Sequence, residues 1–475
     1  MSFLNSTELD NLKIVQLEQS VDFTLLHKVN PERYPFLLES SAQAENIFHL
    51  NPNVPNCNSS EHARFDILFA FPQDSLSLYS NNDIDGKHAD LSKDFLSNVD
   101  DYWLKHKNNA KINADLPFTG GWFIYLSYEL ADQIEERLSL PQSKRKSLKA
   151  RLTRIPVALI KDKLLNKLLL VAESDYAEKL TLIQSDINSL VNMQSVSNND
   201  VDDIELNEET PSRYIDSIKK IKQYIKDGDV FQVNLSRLWV SEKHCNLNAI
   251  ALYNALKDSN PAPFSAYVDY GNYKIISSSP ERLVKVKDNK VQTRPIAGTR
   301  ARHNDSKDDI DDLKELISHP KERAEHIMLI DLERNDLGRI CKPGSIQVDE
   351  LMVLESFQHV HHIVSNVSGE LKEDITPGDV LRAVFPGGTI TGCPKERCMQ
   401  IIAELENAPR GAYTGSVGYI NHDGSMDLNI LIRTFEILDD VLSLRAGAGL
   451  VNDSIAEKEL EETRAKAKGL LEALH

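Results

Sequence analysis

Apolar residues recur at helical spacing between Tyr214 and Lys226, where Tyr214, Ile215, Ile218, Ile221, Tyr224 and Ile225 form one stripe. The pattern predicts an amphipathic helix. Lys321-Glu-Arg-Ala-Glu-His-Ile-Met-Leu-Ile330 and the run from Glu457 to Lys468 also read as helical. Shorter apolar runs read as strands: Ala63 to Phe71, Pro156 to Ile160 and Leu428 to Ile432. Two strand pairs flank hairpin-type turns, one from Ala266 to Ile276 around Tyr270-Gly-Asn, the other from Val417 to Ile432 around Asn421-His-Asp-Gly. Such turns predict antiparallel sheets rather than βαβ crossovers. From Gln194 to Pro211 the chain is polar, rich in Ser, Asn, Asp and Glu, and reads as a surface loop or boundary. A division into residues 1–205 and 206–475 follows, and no internal repeat is visible.

Composition narrows the class. A chain of 475 residues with 41% hydrophobic and 27% charged residues is long enough for two domains or one large layered domain. The net charge of −18 argues against nucleic acid and against an anionic membrane surface as partners. No apolar run approaches bilayer-spanning length, and Met1-Ser-Phe-Leu-Asn-Ser-Thr-Glu lacks a basic leader. The five cysteines, Cys57, Cys245, Cys341, Cys393 and Cys398, fit neither a zinc knuckle nor a disulfide framework. A reducing cytoplasm is the expected compartment.

The candidate chemistry lies in the second half. Phe385-Pro-Gly-Gly-Thr-Ile-Thr-Gly-Cys-Pro-Lys395 combines close-approach glycines with threonine hydroxyls and runs into what reads as a helix start. It suits an anionic ligand, with Gly392 and Lys395 as candidate binding residues, or else it is an ordinary turn. Glu322 and Glu325 share one helix face, as do Glu459 and Glu462. Two such faces across a cleft would give hard oxygen ligands for Mg²⁺; separately they would be solvated faces. Asp331-Leu-Glu-Arg-Asn-Asp336 reads equally as a charged turn after an apolar strand. In Phe357-Gln-His-Val-His-His-Ile-Val-Ser365, alternation puts His359 and His361 on one face of a strand and His362 on the other. These are candidate acid/base groups or hydrogen-bonded strand histidines. Arg433 at a strand end can clamp a carboxylate, and Ala446-Gly-Ala-Gly449 can offer bare backbone N–H groups.

Taken in order, these segments resemble the chorismate-utilising enzymes. The resemblance is carried by Pro295-Ile-Ala-Gly-Thr-Arg300, Asp331–Asp336, His361-His-Ile-Val-Ser365, Pro386–Gly392, Gly415-Ser-Val-Gly-Tyr419 and Ala446–Gly449. More narrowly the chain is similar to the component I subunits of anthranilate synthase and aminodeoxychorismate synthase, over about residues 212–475. Phe36-Leu-Leu-Glu-Ser-Ser41 and Gly120-Gly-Trp-Phe-Ile-Tyr-Leu-Ser-Tyr128 resemble the N-terminal region of that family, where some members hold tryptophan.

The resemblance implies an α+β fold in which two antiparallel sheets stack and helices cover the outside. Residues 1–205 would carry a tryptophan pocket at Leu38, Glu39 and Ser40 and a docking surface; residues 206–475 would bind chorismate, the two parts being interwoven. Glu325 and Glu462 would bind Mg²⁺, with Glu322 and Glu459 in support. His362 would be the acid/base group. Arg433, Tyr413, Gly447 and Gly449 would hold the enolpyruvyl carboxylate, and Thr389 would contact the ring. Glu281, in Ser278-Ser-Pro-Glu, would protonate the departing C4 hydroxyl. Gln232 stands where water-adding relatives have lysine, which favours ammonia as the nucleophile. Ala297 stands where the aminodeoxychorismate branch often has a lysine that adds to C2, so that covalent route is closed at this position. Gln232-Val-Asn-Leu-Ser-Arg237, His361–Ser365 and Pro386–Gly392 nevertheless resemble aminodeoxychorismate synthases, the expected activity. Anthranilate synthase is the alternative. A non-catalytic tryptophan-binding paralogue would belong to another class, but it should have lost a metal glutamate, His362 or Arg433. With no Gly-x-Cys-x-Gly nucleophile loop in the chain, ammonia is expected from a separate glutamine amidotransferase subunit in a heterodimer.

Overall fold

The computed structural model describes residues 5–9, 11–18, 20–41, 46–48, 63–108, 115–143, 145–190, 204–242, 247–301, 320–356 and 360–475. His359, Cys57 and Cys245 lie outside them. The stripe read from Tyr214 is the buried face of the Pro211–Lys226 helix, with Tyr214, Ile218 and Ile221 in the core. Both predicted hairpins form: Phe264–Asp269 pairs with Tyr273–Ser279, and Ser416–Asn421 with Met426–Asn429, each antiparallel.

The strands assemble into two sheets, of 13 and 12 strands, and the pairings between them are antiparallel throughout the described residues. Through the middle of the first sheet run Val157–Asp162, Phe65–Ala70, Phe36–Glu39, Phe264–Asp269, Tyr273–Ser279, Thr434–Leu438, Val441–Leu450 and Gln232–Ser241. The second contains Val360–Glu370, Lys290–Arg294, Arg282–Lys287, Met426–Asn429, Ser416–Asn421, Gly121–Leu126 and Leu148–Ile155. Among these strands, each sheet therefore contains those from the two sides of residue 205 as contiguous blocks, which meet between Phe36–Glu39 and Phe264–Asp269 in the first sheet and between Ser416–Asn421 and Gly121–Leu126 in the second.

The faces where the sheets meet bury Phe69, Ile160 and Ile275 from the first against Phe123, Tyr125 and Val417 from the second. Phe36 stacks on Phe123 at 4.3 Å across this interface. On the outer face of the first sheet, helices Phe23–Val29, Lys179–Leu190, Ala249–Ser259 and Ala456–Glu472 close a second core. Phe95–His106, Pro320–Ile340 and Pro377–Val384 do the same for the second sheet. The result is an α+β sandwich of stacked antiparallel sheets under outer helices.

Two local readings are corrected. Asp331–Asp336 is not a turn: it continues the 21-residue helix Pro320–Ile340, with Leu332, Glu333 and Asp336 buried. Leu428–Ile432 is not one strand. Pairing ends at Asn429, and Arg433 sits at φ 52° in the gap before Thr434–Leu438. No described helix is long and apolar enough to cross a membrane.

Candidate active site

At one end of the sandwich, Gln232–Ser241 lies beside Val441–Leu450, with Asn234 opposite Gly449 and Ser236 opposite Gly447. A Cβ on Gly449 would fall 2.4 Å from Gln232 Nε2 and 3.5 Å from Glu325 Oε1. One on Gly447 would fall 2.7 Å from the Tyr413 hydroxyl and 2.8 Å from Asn234 Oδ1. The two glycines thus leave a bare strip of strand ringed by Gln232, Asn234, Glu325 and Tyr413. Gln232 Nε2 donates to Glu325 Oε1 at 2.7 Å, which fixes the amide and leaves its Oε1 a buried acceptor without a partner. Asn234 Oδ1 is buried and unpartnered too. Unmet polar atoms of this kind are costly unless a ligand satisfies them.

Arg433 forms no ion pair or side-chain hydrogen bond among the described residues, and burial pushes its guanidinium below the usual arginine range. Arg433 is half-buried, and a half-buried cation without a counter-charge is a seat for an anion. Its charge reaches His362, on the Val360–Glu370 strand. Burial first, then Arg433 and His361, lowers the His362 pKa to about 3, against an opposing hydrogen bond with the Gly298 backbone. The imidazole is neutral at working pH and only weakly basic. His361 is buried beside it, on the opposite face of the strand by alternation.

Glu281 is 5% exposed, and its backbone carbonyl accepts from Ile430 N at 3.0 Å, three residues before Arg433. Burial raises its pKa to about 7; the nearby Thr389 hydroxyl, the Ile296 amide and the Lys466 charge pull the other way. Among the described residues, neither Glu281 Oε1 nor Thr389 Oγ1 has a formed hydrogen bond. Glu281 is thereby kept as a carboxylic acid able to donate near neutral pH. Of the two loop threonines, only Thr389 is open to a ligand, since Thr391 Oγ1 donates to Gly387 O at 2.9 Å.

Lys466 was not singled out in the sequence, although its position four residues after Glu462 was a signal. Its ammonium donates to Gly447 O at 3.0 Å, pairs with Glu462 at 2.8 Å and acts on Glu281. The hard-oxygen donor set fits Mg²⁺ in part. Glu325 borders Gly449, and Glu462 is tied through Lys466 to Gly447, so both carboxylates flank the same strip. Glu459 is buried one helical turn before Glu462, and both charges act on Tyr214. The side chain of Glu322 lies outside the described residues. No three described carboxylate, histidine or cysteine groups form a ready metal cluster, so a metal here would draw its remaining ligands from substrate and water.

Other candidates sit differently. Lys395 pairs with the buried Asp336 and donates to Val384 O at 3.4 Å, so its charge is already balanced within the protein. Gly392, at φ 129°, lets the Gly392–Cys393 strand pair with Gln232–Val233; a Cβ there would fall 2.1 Å from Gln232 O. Ala297 lies in the Ile296–Ala301 strand opposite Ile363, next to a bulge facing His362; its side chain is outside the described residues. Glu333, within the quoted Asp331–Asp336 motif, is buried and raised by burial and by Asp336.

A second cavity, of about 630 Å³, opens between the sheets and is lined by Leu38, Glu39, Phe264, Arg282 and Asp427 among others. Glu39 accepts from the Tyr253 hydroxyl (2.7 Å) and Lys257 Nζ (2.8 Å). Arg282 pairs bidentately with Asp427 and lies 4.9 Å from the Phe264 ring. Ser40 is buried and donates its N–H to Asp66 at 2.9 Å.

Comparison with known proteins identifies the family. The family model for "chorismate binding enzyme" matches residues 54–472. The "Anthranilate synthase component I-like protein" of Synechocystis is 45% identical over 372 residues, 76% of this chain and 74% of that one. "Aminodeoxychorismate synthase component 1" of Bacillus subtilis is 46% identical over 265 residues, 56% of each chain, so that match spans just over half the length of the relative. The crystal structure of anthranilate synthase component I from Streptococcus pneumoniae superposes with a TM-score of 0.75 at 31% identity, over 89% of this chain and 94% of that one. The chain belongs to the chorismate-binding enzymes, in the group formed by anthranilate synthase and aminodeoxychorismate synthase component I.

Proposed function

We propose that the protein is an aminodeoxychorismate synthase component I, which converts chorismate and ammonia to 4-amino-4-deoxychorismate for 4-aminobenzoate and folate synthesis. The observation that carries a chorismate-aminating reading is the half-buried Arg433, without a partner among the described residues, beside neutral His362 and a Glu281 raised to about 7. Arg433, the Tyr413 hydroxyl and the bare strand at Gly447 and Gly449 bind the enolpyruvyl carboxylate. Glu325 and Glu462, with Glu322 and Glu459, are the residues that would hold Mg²⁺, which when bound neutralises the ring carboxylate. Glu281 gives its proton to the C4 hydroxyl, which leaves as water while the ammonia nitrogen bonds to C4. The carboxylate left on Glu281 takes back the proton that the new ammonium group sheds, which restores the acid, while neutral His362 lines the site. Gln232 offers an amide acceptor and no base, which suits a nucleophile that needs no activation.

Anthranilate synthase is the second reading. Ala297 and the names of several relatives favour it, among them "Anthranilate synthase component 1" of Aquifex aeolicus at 49% identity. The residues of Gln232–Arg237, His361–Ser365 and Pro386–Gly392 favour aminodeoxychorismate. Ammonia would come from a separate glutamine amidotransferase subunit. The 630 Å³ cavity offers an apolar wall at Leu38, Ile67, Phe264 and Val417 to an aromatic side chain, and we propose tryptophan as its ligand. Calorimetry showing no tryptophan binding would remove that proposal. For the activity, the purified chain is incubated with chorismate, Mg²⁺ and an ammonium salt. A product that yields 4-aminobenzoate only after a lyase is added supports the first reading; direct release of anthranilate and pyruvate supports the second.

A further inference from the structure

The Gly120–Tyr128 motif has no role in the chemistry above, yet the residue after it holds the turn that leads to Tyr413. Glu129 is 6% exposed, and its carboxylate accepts from Arg410 N (2.7 Å) and Gly411 N (3.1 Å). The next amide, Ala412 N, donates to Glu436 at 2.6 Å. Three consecutive N–H groups of one turn are thus held by two carboxylates from opposite sheets: Glu129 follows the Gly121–Leu126 strand of the second, and Glu436 lies in Thr434–Leu438 of the first. Gly411 is at φ 64°, and a Cβ there would fall 2.4 Å from Glu436 Oε2, so the turn seats directly on the carboxylate.

The grip is costly. The two carboxylates repel, and burial raises both above the usual carboxylate range. Side-chain packing does not replace it, because a cavity of about 320 Å³ borders Glu129, Gly411, Tyr413 and Glu436. What the turn delivers is Tyr413, whose hydroxyl lies against Gly447 and Asn234. Arg410, at the start of the turn, fastens the same region from within, donating to Ile390 O (3.1 Å), beside Thr389, and to Asn234 O (2.7 Å).

We propose that Glu129 and Glu436 are positioning residues for substrate binding, gripping the 410–412 amides so that the Tyr413 hydroxyl is fixed where the substrate carboxylate docks. The proposal rests on the chorismate reading of the site. It gives the N-terminal part of the chain a direct part in substrate affinity.

The test is a double-mutant cycle read by calorimetric titration of chorismate with Mg²⁺ and no nitrogen donor, on wild type, Glu129→Gln, Tyr413→Phe and the double variant. Glu129→Gln and Tyr413→Phe should each weaken binding by roughly tenfold, and the double variant should be within about twofold of Tyr413→Phe alone. Glu129→Asp, which keeps the charge, should recover part of the loss, and in turnover the KM should rise more than kcat falls. Additive losses, or an unchanged dissociation constant in Glu129→Gln, would overturn the proposal. If Glu129→Gln fails a thermal melt, Glu436→Gln takes its place in the cycle, with the same result expected and the same results opposing. A wild-type chain that does not bind chorismate would instead sink the chorismate reading, and the positioning proposal with it.

Discussion

At the scale of single residues, the chemistry turns on Arg433 and Glu281, which burial puts in opposite states of need. Arg433 is charged and lacks a partner among the described residues; Glu281 holds a proton it would ordinarily have lost. Replacing Arg433 with Gln removes a charge-assisted clamp and should lower kcat/KM for chorismate by roughly 30- to 1,000-fold, equivalent to about 2–4 kcal/mol. Steady-state kinetics would reveal it, and a loss below threefold would contradict the clamp. Glu281 must be protonated to donate, so activity should fall as pH rises through about 7 when free ammonia is held constant. His362 stays neutral far below that range and contributes no acidic limb there. Glu281→Gln should lose the limb together with roughly 10²- to 10⁴-fold in kcat; a limb that survives in the variant assigns it to another group. These residue types were legible in the sequence, but their states were not. Nothing in the spacing of Arg433 indicates that no described carboxylate reaches it, and the spacing of Lys466 from Glu462 does not show that its ammonium reaches Gly447 O.

Among the elements, periodicity found the Pro211–Lys226 helix and both hairpins because each buries one face against the core. It failed where a helix is buried on more than one side. Lys321–Ile330 reads as helical, but the second half of Pro320–Ile340 hides charged residues such as Glu333 and Asp336 among apolar ones, so Asp331–Asp336 reads as a charged turn. It failed also at Ile430–Arg433, an apolar run that leaves the sheet in order to point Arg433 inward. The backbone at Gly392 carries its own prediction. Gly392→Ala forces a Cβ against Gln232 O at a positive φ and should cost about 2–4 kcal/mol of stability, read as a lowered denaturation midpoint. An unchanged midpoint would mean that the short Gly392–Cys393 pairing is not needed. On the Ala456–Glu472 helix, Glu462→Gln should abolish Mg²⁺-dependent turnover while leaving the melting temperature nearly unchanged, because Glu462 is half exposed. Retained activity would remove Glu462 from the metal assignment.

For the whole molecule, the two sheets are shared by residues on both sides of position 205, which pairing patterns cannot reveal because strand partners lie far apart in sequence. Phe36–Glu39 sits between Phe65–Ala70 and Phe264–Asp269, so residues 206–475 alone would expose an unpaired edge and half of the inter-sheet core. That fragment should not fold as a soluble monomer, by circular dichroism and size exclusion. The stacked-sheet architecture was legible only through family resemblance; local signals gave strands and turns without their order. The chemistry assigned to the molecule is tested most directly by the fate of nitrogen. Chorismate, Mg²⁺ and ¹⁵N-ammonium are supplied to the purified chain, and the product is resolved by ¹³C–¹⁵N NMR. Aminodeoxychorismate synthesis predicts ¹⁵N bonded to C4 of a ring that keeps its enolpyruvyl group. Label on C2 with release of pyruvate would contradict the aminodeoxychorismate assignment, and a product without label would contradict amination altogether.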